Sequence, residues 1–142
     1  MTARHFTYGR LTSFAPLTDL IGGSEAPRVF SKKSMTSSVE TCPYIVYKLG
    51  NATVINLSED SDGTYYTQFL QIFVHDFTNE EVADYDQIDA VIKQVKAAFK
   101  LQVSPGDGVI SCQYLETSQD LNDDTLNTVF KYVRFQLITK EL

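Results

Sequence analysis

The sequence holds no apolar stretch near the roughly 20 residues needed to cross a bilayer as a helix. Its best candidate, Phe69 to Val74, is interrupted by Gln71, so no helical membrane span and no membrane partner are expected. The first 20 residues carry Arg4 and Arg10 but no apolar core behind them and no small-residue cleavage site, so no secretory signal is expected either. Cysteine is scarce. Cys42 and Cys112 lie far apart, too few for a disulfide framework or a zinc site, and both read as reduced, partly buried thiols suited to the cytoplasm.

Histidine is equally scarce, and that limits acid/base chemistry. His5 lies close to the start of the sequence and His75 precedes Asp76 near a strand end. Neighbouring strand residues point to opposite faces, so His75 and Asp76 diverge, and His75 reads as a polar strand-end residue. No phosphate-binding Gly loop, nucleophile elbow or metal-ligand spacing occurs. Asp84, Asp86 and Asp89, with Glu80 and Glu81, crowd the start of a helix, where the macrodipole favours acids, and lack the pattern of a calcium loop. The expectation is no enzyme, no catalytic residue, no cofactor and no metal.

Basic residues are outnumbered, and unevenly. The net charge is −6; residues 1–48 hold six basic against three acidic side chains, and the rest of the chain holds six against fifteen. Clustered Lys and Arg drive phosphate binding, so this acidic chain is a poor holder of nucleic acid but suits a surface that DNA slides past. There is no internal repeat or low-complexity tract. With 142 residues, 43% hydrophobic and 21% charged, the chain reads as one domain over 1–142.

Apolar residues from Leu11 to Ile21 come near helical spacing within Thr7–Ile21, with Pro16 kinking or restarting the helix and Gly22-Gly23 ending it. Arg28-Val29-Phe30 is a short strand, Ser31 to Thr41 a loop, and Pro43 to Tyr47 a strand that turns or bulges at Gly50-Asn51 before Thr53-Val54-Ile55. After the turn Ser58 to Gly63 comes a long strand from Tyr65 to His75. Tyr66, Leu70, Ile72 and Val74 form its core face, while Thr67, Phe69, Gln71, Phe73 and His75 point the other way. Thr78-Asn79-Glu80-Glu81 fits a capping box, opening a helix whose stripe is Val82, Tyr85, Ile88, Ile92, Val95 and Phe99. Val109 to Leu115 and Val129 to Ile138 are two more strands, joined by an acidic hairpin loop from Asp120 to Thr125. The fold class is α+β: a mostly antiparallel sheet of four strands, or slightly more, with helices packed on one face.

Two helices about 10 Å wide cover one face of such a sheet, whose strands lie about 4.8 Å apart. The other face then carries Phe69, Gln71 and Phe73 of the long strand and Phe130, Tyr132 and Ile138 of the last. Partial exposure, or cover by the Ser31 to Thr41 loop, would account for these rings. A subunit interface accounts for them better, because interface cores are rich in Tyr and Phe and poor in acids. Phe69, Gln71, Phe73, Phe130 and Tyr132 are therefore the candidate subunit interface.

This order of elements resembles the tail-terminator, or tail-completion, family of long-tailed (siphovirus-type) bacteriophages. The resemblance rests on Leu17 to Gly23, Arg28-Val29-Phe30, Pro43 to Val46, the Phe69-to-Asp76 strand ahead of the Ile88-to-Phe99 helix, and the closing Lys131-to-Thr139 strand. It implies a homohexameric ring at the head-proximal end of the tail tube. Such a ring ends tube polymerisation and docks the head connector or stopper protein. It also implies residence in the virion neck after assembly in the bacterial cytoplasm, with DNA passing through unbound. Glu59, Asp60, Asp62, Asp120, Asp123 and Asp124, at acidic turns, are then candidates to face the lumen. Alternatives are another neck component, such as a head-completion or stopper protein, a tube-end protein of a contractile machine, or a small-ligand-binding α+β domain. In the last, Tyr66, His75, Cys112 and Tyr114 would line the pocket.

Overall fold

The computed structural model describes residues 2–31, 43–55, 64–77, 85–123 and 128–141. Helix α1 (Ala3–Ser13) starts four residues before the apolar spacing predicts, because the Thr2 hydroxyl caps it by accepting the His5 N–H at 3.2 Å. Phe14 is extended, and α2 (Ala15–Thr18) restarts with Pro16 in its first turn, where a missing N–H costs nothing. Gly22, at φ +119°, then turns the chain: a Cβ there would meet Ala26 O and the Arg28 guanidinium, each at 2.8 Å.

Seven strands follow among the described residues: β1 (Val29–Ser31), β2 (Tyr44–Leu49), β3 (Thr53–Ile55), β4 (Tyr65–Phe77), β5 (Val109–Thr117), β6 (Leu121–Asp123) and β7 (Thr128–Lys140). Helix α3 (Asp86–Phe99) lies between β4 and β5, and a short 3-10 turn, Pro105–Asp107, precedes β5. The sheet order is β1-β2-β4-β7-β5. Strand β3 pairs with β4 beyond the end of β2, so β2 and β3 lie in one line beside β4, broken by a bulge at Gly50 to Ala52. In the same way β6 continues β5 along β7.

Two expectations change. The pair β1–β2 is parallel, Val29 to Ile45 through Ser31 to Tyr47, so the sheet is mixed. Twelve residues separate these strands, enough for the crossover that a parallel pair requires. Leu121–Asp123, expected within a loop, is a strand paired to Thr128–Phe130, so Asp123 belongs to the sheet and not to a turn. The proposed capping box, the Ser31–Thr41 loop beyond Ser31, the Ser58–Gly63 turn and Cys42 lie outside the described residues. The described helix begins at Asp86, with Tyr85 at its N-cap.

The alternation of β4 and β7 builds the core. Leu70, Ile72 and Val74 of β4, with Val129, Val133 and Leu137 of β7, are fully buried. Against them lie Ile88, Val91, Val95, Ala98 and Phe99 of α3, and Leu11, Leu17 and Ile21 from the N-terminal helices complete the cluster. Phe99 packs 5.8 Å from Phe6 and 5.1 Å from Phe135, tying both long helices to the sheet. The charge on Lys131, the odd residue on this face, is met by Asp89 at 2.7 Å and Asp120 at 3.1 Å.

Candidate assembly interface

The face of the sheet away from the helices carries the side chains that the sequence singles out. Pairing sets Phe69 opposite Gln136, Gln71 opposite Arg134, Phe73 opposite Tyr132 and His75 opposite Phe130, so all five candidate interface residues share one surface. This surface has two halves.

At one end it is closed. The imidazole of His75 is sandwiched between Tyr44 (4.9 Å, 4° between planes) and Phe130 (4.9 Å, 23°), and its Nδ1 lies 2.8 Å from the Thr128 hydroxyl. Phe30 meets Tyr44 edge-on at 6.2 Å. Tyr44 and His75 are buried, so His75 is a polar residue near the strand end, as expected, but one held inside the chain by stacking and the Thr128 hydroxyl and not at the surface.

At the other end the face is open. Phe69, Gln71, Phe73, Phe130 and Tyr132 are each half-buried. Phe73 touches Phe130 (6.1 Å) and Tyr132 (5.6 Å), and the Arg134 guanidinium lies 4.2 Å over Phe69 while reaching Glu116 at 3.6 Å. Gln136 donates to the Thr67 hydroxyl at 2.9 Å. Large rings framed by amides and by Arg134 and Lys48, the latter paired with Gln71, with Glu116 at the margin, have the make-up of an interface core.

Of the acidic residues, Glu59, Asp60, Asp62 and Asp124 lie outside the described residues, and the position of Asp123 in β6 has been noted. Asp120 sits at the break between β5 and β6, exposed, with its carboxylate on Lys131.

The constellation proposed for a ligand pocket does not come together. Cys112, paired with Leu137, and Tyr114, paired with Phe135, lie on the helix side, whereas His75 lies on the opposite face. Burial pushes the Cys112 thiol up to about 11, which makes it a poor nucleophile. An open groove of about 310 Å³ lies elsewhere, lined by Thr2, Ala3, Tyr66, Gln68, Asp107, Thr139, Lys140 and Glu141. It contains neither histidine nor cysteine. Among the described residues no group of three or more His, Cys, Asp or Glu side chains could hold a metal ion. Among the described residues no helix is long and apolar enough to cross a membrane.

The class that fold and surface define is an α+β domain with one sheet face sheltered by helices and the other partly open. No protein-family model matches the chain, and no curated protein matches it. Among solved structures it is similar to a chain from the virion of a native gene transfer agent (GTA) particle. The identity is 17%, the TM-score 0.66, and the match covers 95% of this chain and 92% of that one. The two share a fold over nearly their whole length.

Proposed function

We propose that the protein is a structural component of a virion: a ring at the head-proximal end of a phage tail tube that ends tube polymerisation and joins the tail to the head connector. The observation that carries this reading is the open aromatic half of the second sheet face, which offers a neighbour an apolar surface that the chain's own helices do not cover. The similar chain from a virion particle supports the setting, and the resemblance of the sequence to tail terminators is the ground for the place within it. In this reading the subunits are copies of one chain, a hexamer by the tail-terminator resemblance, and the partners are tube protein on one side and connector or stopper protein on the other. The net charge of −6 suits a passage through which DNA moves without sticking. The protein performs no catalysis and resides in the tail neck after assembly in the host cytoplasm.

Light scattering of the purified protein, alone and with tail tube protein, tests the reading. Rings, or caps on tube ends seen by electron microscopy, are expected. A monomer at every concentration that also fails to dock on tube ends would overturn it. Antibody label confined to the capsid portal would move the assignment to a head-completion protein.

A further inference from the structure

The open half of the second sheet face is cationic, although the chain carries a net charge of −6. Lys48 pairs with Gln71 and Gln71 with Arg134, so two cations stand in one row between the Phe69 and Phe73 levels of the sheet. Lys140 lies 5.7 Å over the Tyr65 ring at the far end. Among the described side chains of this half, Glu116 is the one carboxylate, 3.6 Å from Arg134. Two such halves brought face to face would set cation against cation, an arrangement that interfaces avoid.

Acids collect on the other side of the same sheet. Lys131 sits between Phe130 and Tyr132 of the open face and so points the opposite way, toward the helices, where it binds Asp89 at 2.7 Å and Asp120 at 3.1 Å. Asp76 stands diagonally across from it on β4, since Asp76 pairs with Val129 and Val74 with Lys131. Asp86 precedes Asp89 by about one turn of α3. Four carboxylates thus gather around one ammonium, and Asp86, Asp89 and Asp120 are exposed. The helix dipole accounts for Asp86 and Asp89, but Asp76 and Asp120 reach this corner from β4 and from the break between β5 and β6. Lys93, Lys96 and Lys100 come later along α3 and its C-cap, and Lys96 lies 4.4 Å over the Tyr114 ring.

We infer that the acidic corner of one copy, Asp86, Asp89 and Asp120, docks on the open cationic half-face of the next copy, head to tail. This deepens the ring reading and rests on it. The occupant is a second copy of this chain because the chain itself carries the complementary charge, and carries it on the opposite side of the sheet. Each copy can therefore give one surface and receive the other. A contact between unlike surfaces closes into a ring when its rotation divides a full turn. The aromatic rings supply the apolar part of the contact, and the charges decide which side of the neighbour meets them.

Sedimentation of the full chain, with tube protein added where the ring needs a template, tests this. Lys48→Glu with Arg134→Glu reverses the face, and Asp86→Lys with Asp120→Lys reverses the corner. Each pair of changes is expected to weaken association at least about tenfold at about 0.05 M salt, and less at about 0.5 M. Mixed, the two variants should assemble again as alternating copies, because every contact then joins two original or two reversed surfaces. Circular dichroism checks that each variant is folded. Where a double variant does not fold, Lys48→Glu or Asp86→Lys alone, both at exposed positions, should weaken association about threefold. Three results would each overturn the docking assignment while wild-type rings persist and the ring reading stands. The reversed corner assembles as the wild type does, the mixture stays apart, or the reversed face binds the wild type more tightly than the wild type binds itself. A single-stranded oligonucleotide held by the wild type and released by the reversed face would overturn it too, making the face a nucleic-acid surface. A wild type that never associates overturns both readings.

Discussion

Replacing His75 with alanine separates the closed half of the second sheet face from the open half. The ring stacks on Tyr44 and Phe130 at 4.9 Å each, and its Nδ1 is hydrogen-bonded to the Thr128 hydroxyl at 2.8 Å. Each stack contributes about 0.5–1.5 kcal/mol and the hydrogen bond about 0.5–1.5 kcal/mol net, so His75→Ala should cost about 1.5–4.5 kcal/mol. At roughly 4 °C per kcal/mol for a domain of this size, the melting temperature should fall by about 6–18 °C. Urea unfolding followed by circular dichroism checks the figure, with an unchanged slope showing that the native state keeps its compactness. Phe73→Ala, at a half-buried ring, should cost less stability but more of the assembly. A loss below about 1 kcal/mol for His75→Ala would refute the argument, because the stack would then contribute nothing and the two halves would not differ.

Gly22→Ala should lose about 1–3 kcal/mol by thermal melting, since a side chain at φ +119° is strained and its Cβ strikes Ala26 O and Arg28. In a Cys42→Ser background, native Cys112 should be alkylated at pH 8 about a hundredfold more slowly than an exposed thiol, because burial raises it from 9.0 to about 11 and depletes the thiolate; a reaction at the ordinary rate counts against the packing. The Ser104 hydroxyl at 2.7 Å, opposed by burial and aided by His5 at 2.9 Å, holds the Asp107 carboxyl below its usual 3.8. A depressed folded value means that its stabilisation is complete above pH 3.8 and is lost as pH falls through the lower folded value. The urea-midpoint gap between wild type and Ser104→Ala should therefore be open at pH 5 and narrow toward pH 2. Phe73→Asp should abolish association while leaving a folded monomer, as judged by sedimentation and circular dichroism.

Where one periodicity dominated, the sequence was legible. The strand alternation of β4 and β7 placed Leu70, Ile72, Val74, Val133, Phe135 and Leu137 inward and gathered Phe69, Phe73, Phe130 and Tyr132 on the opposite side. The stripe Ile88, Ile92, Val95 and Phe99 likewise marked the packed side of α3. What depends on contacts between distant segments was hidden. No local signal distinguishes a parallel partner for Val29–Ser31 from an antiparallel one, and the stack that buries His75 joins residues from β2, β4 and β7. Leu101 was invisible for the opposite reason: leucine after an amphipathic helix reads as one more core residue, and only the backbone shows it turned outward.

The place of β7 in the sheet carries a consequence for how the chain is made. Thr128–Lys140 lies between β4 and β5 and bonds to both, pairing with β4 along its whole length from Phe77 at Thr128 to Tyr65 at Lys140. A chain emerging from the ribosome thus displays two unfinished flaps, one on each side of an empty slot, until that segment is synthesised. The sheet closes only once that strand is in place, and the slow pairing of distant strands becomes the timing step. If the open aromatic face is a contact between copies, as proposed, a copy without Thr128–Lys140 lacks Phe130 and Tyr132 and offers its neighbours no finished surface.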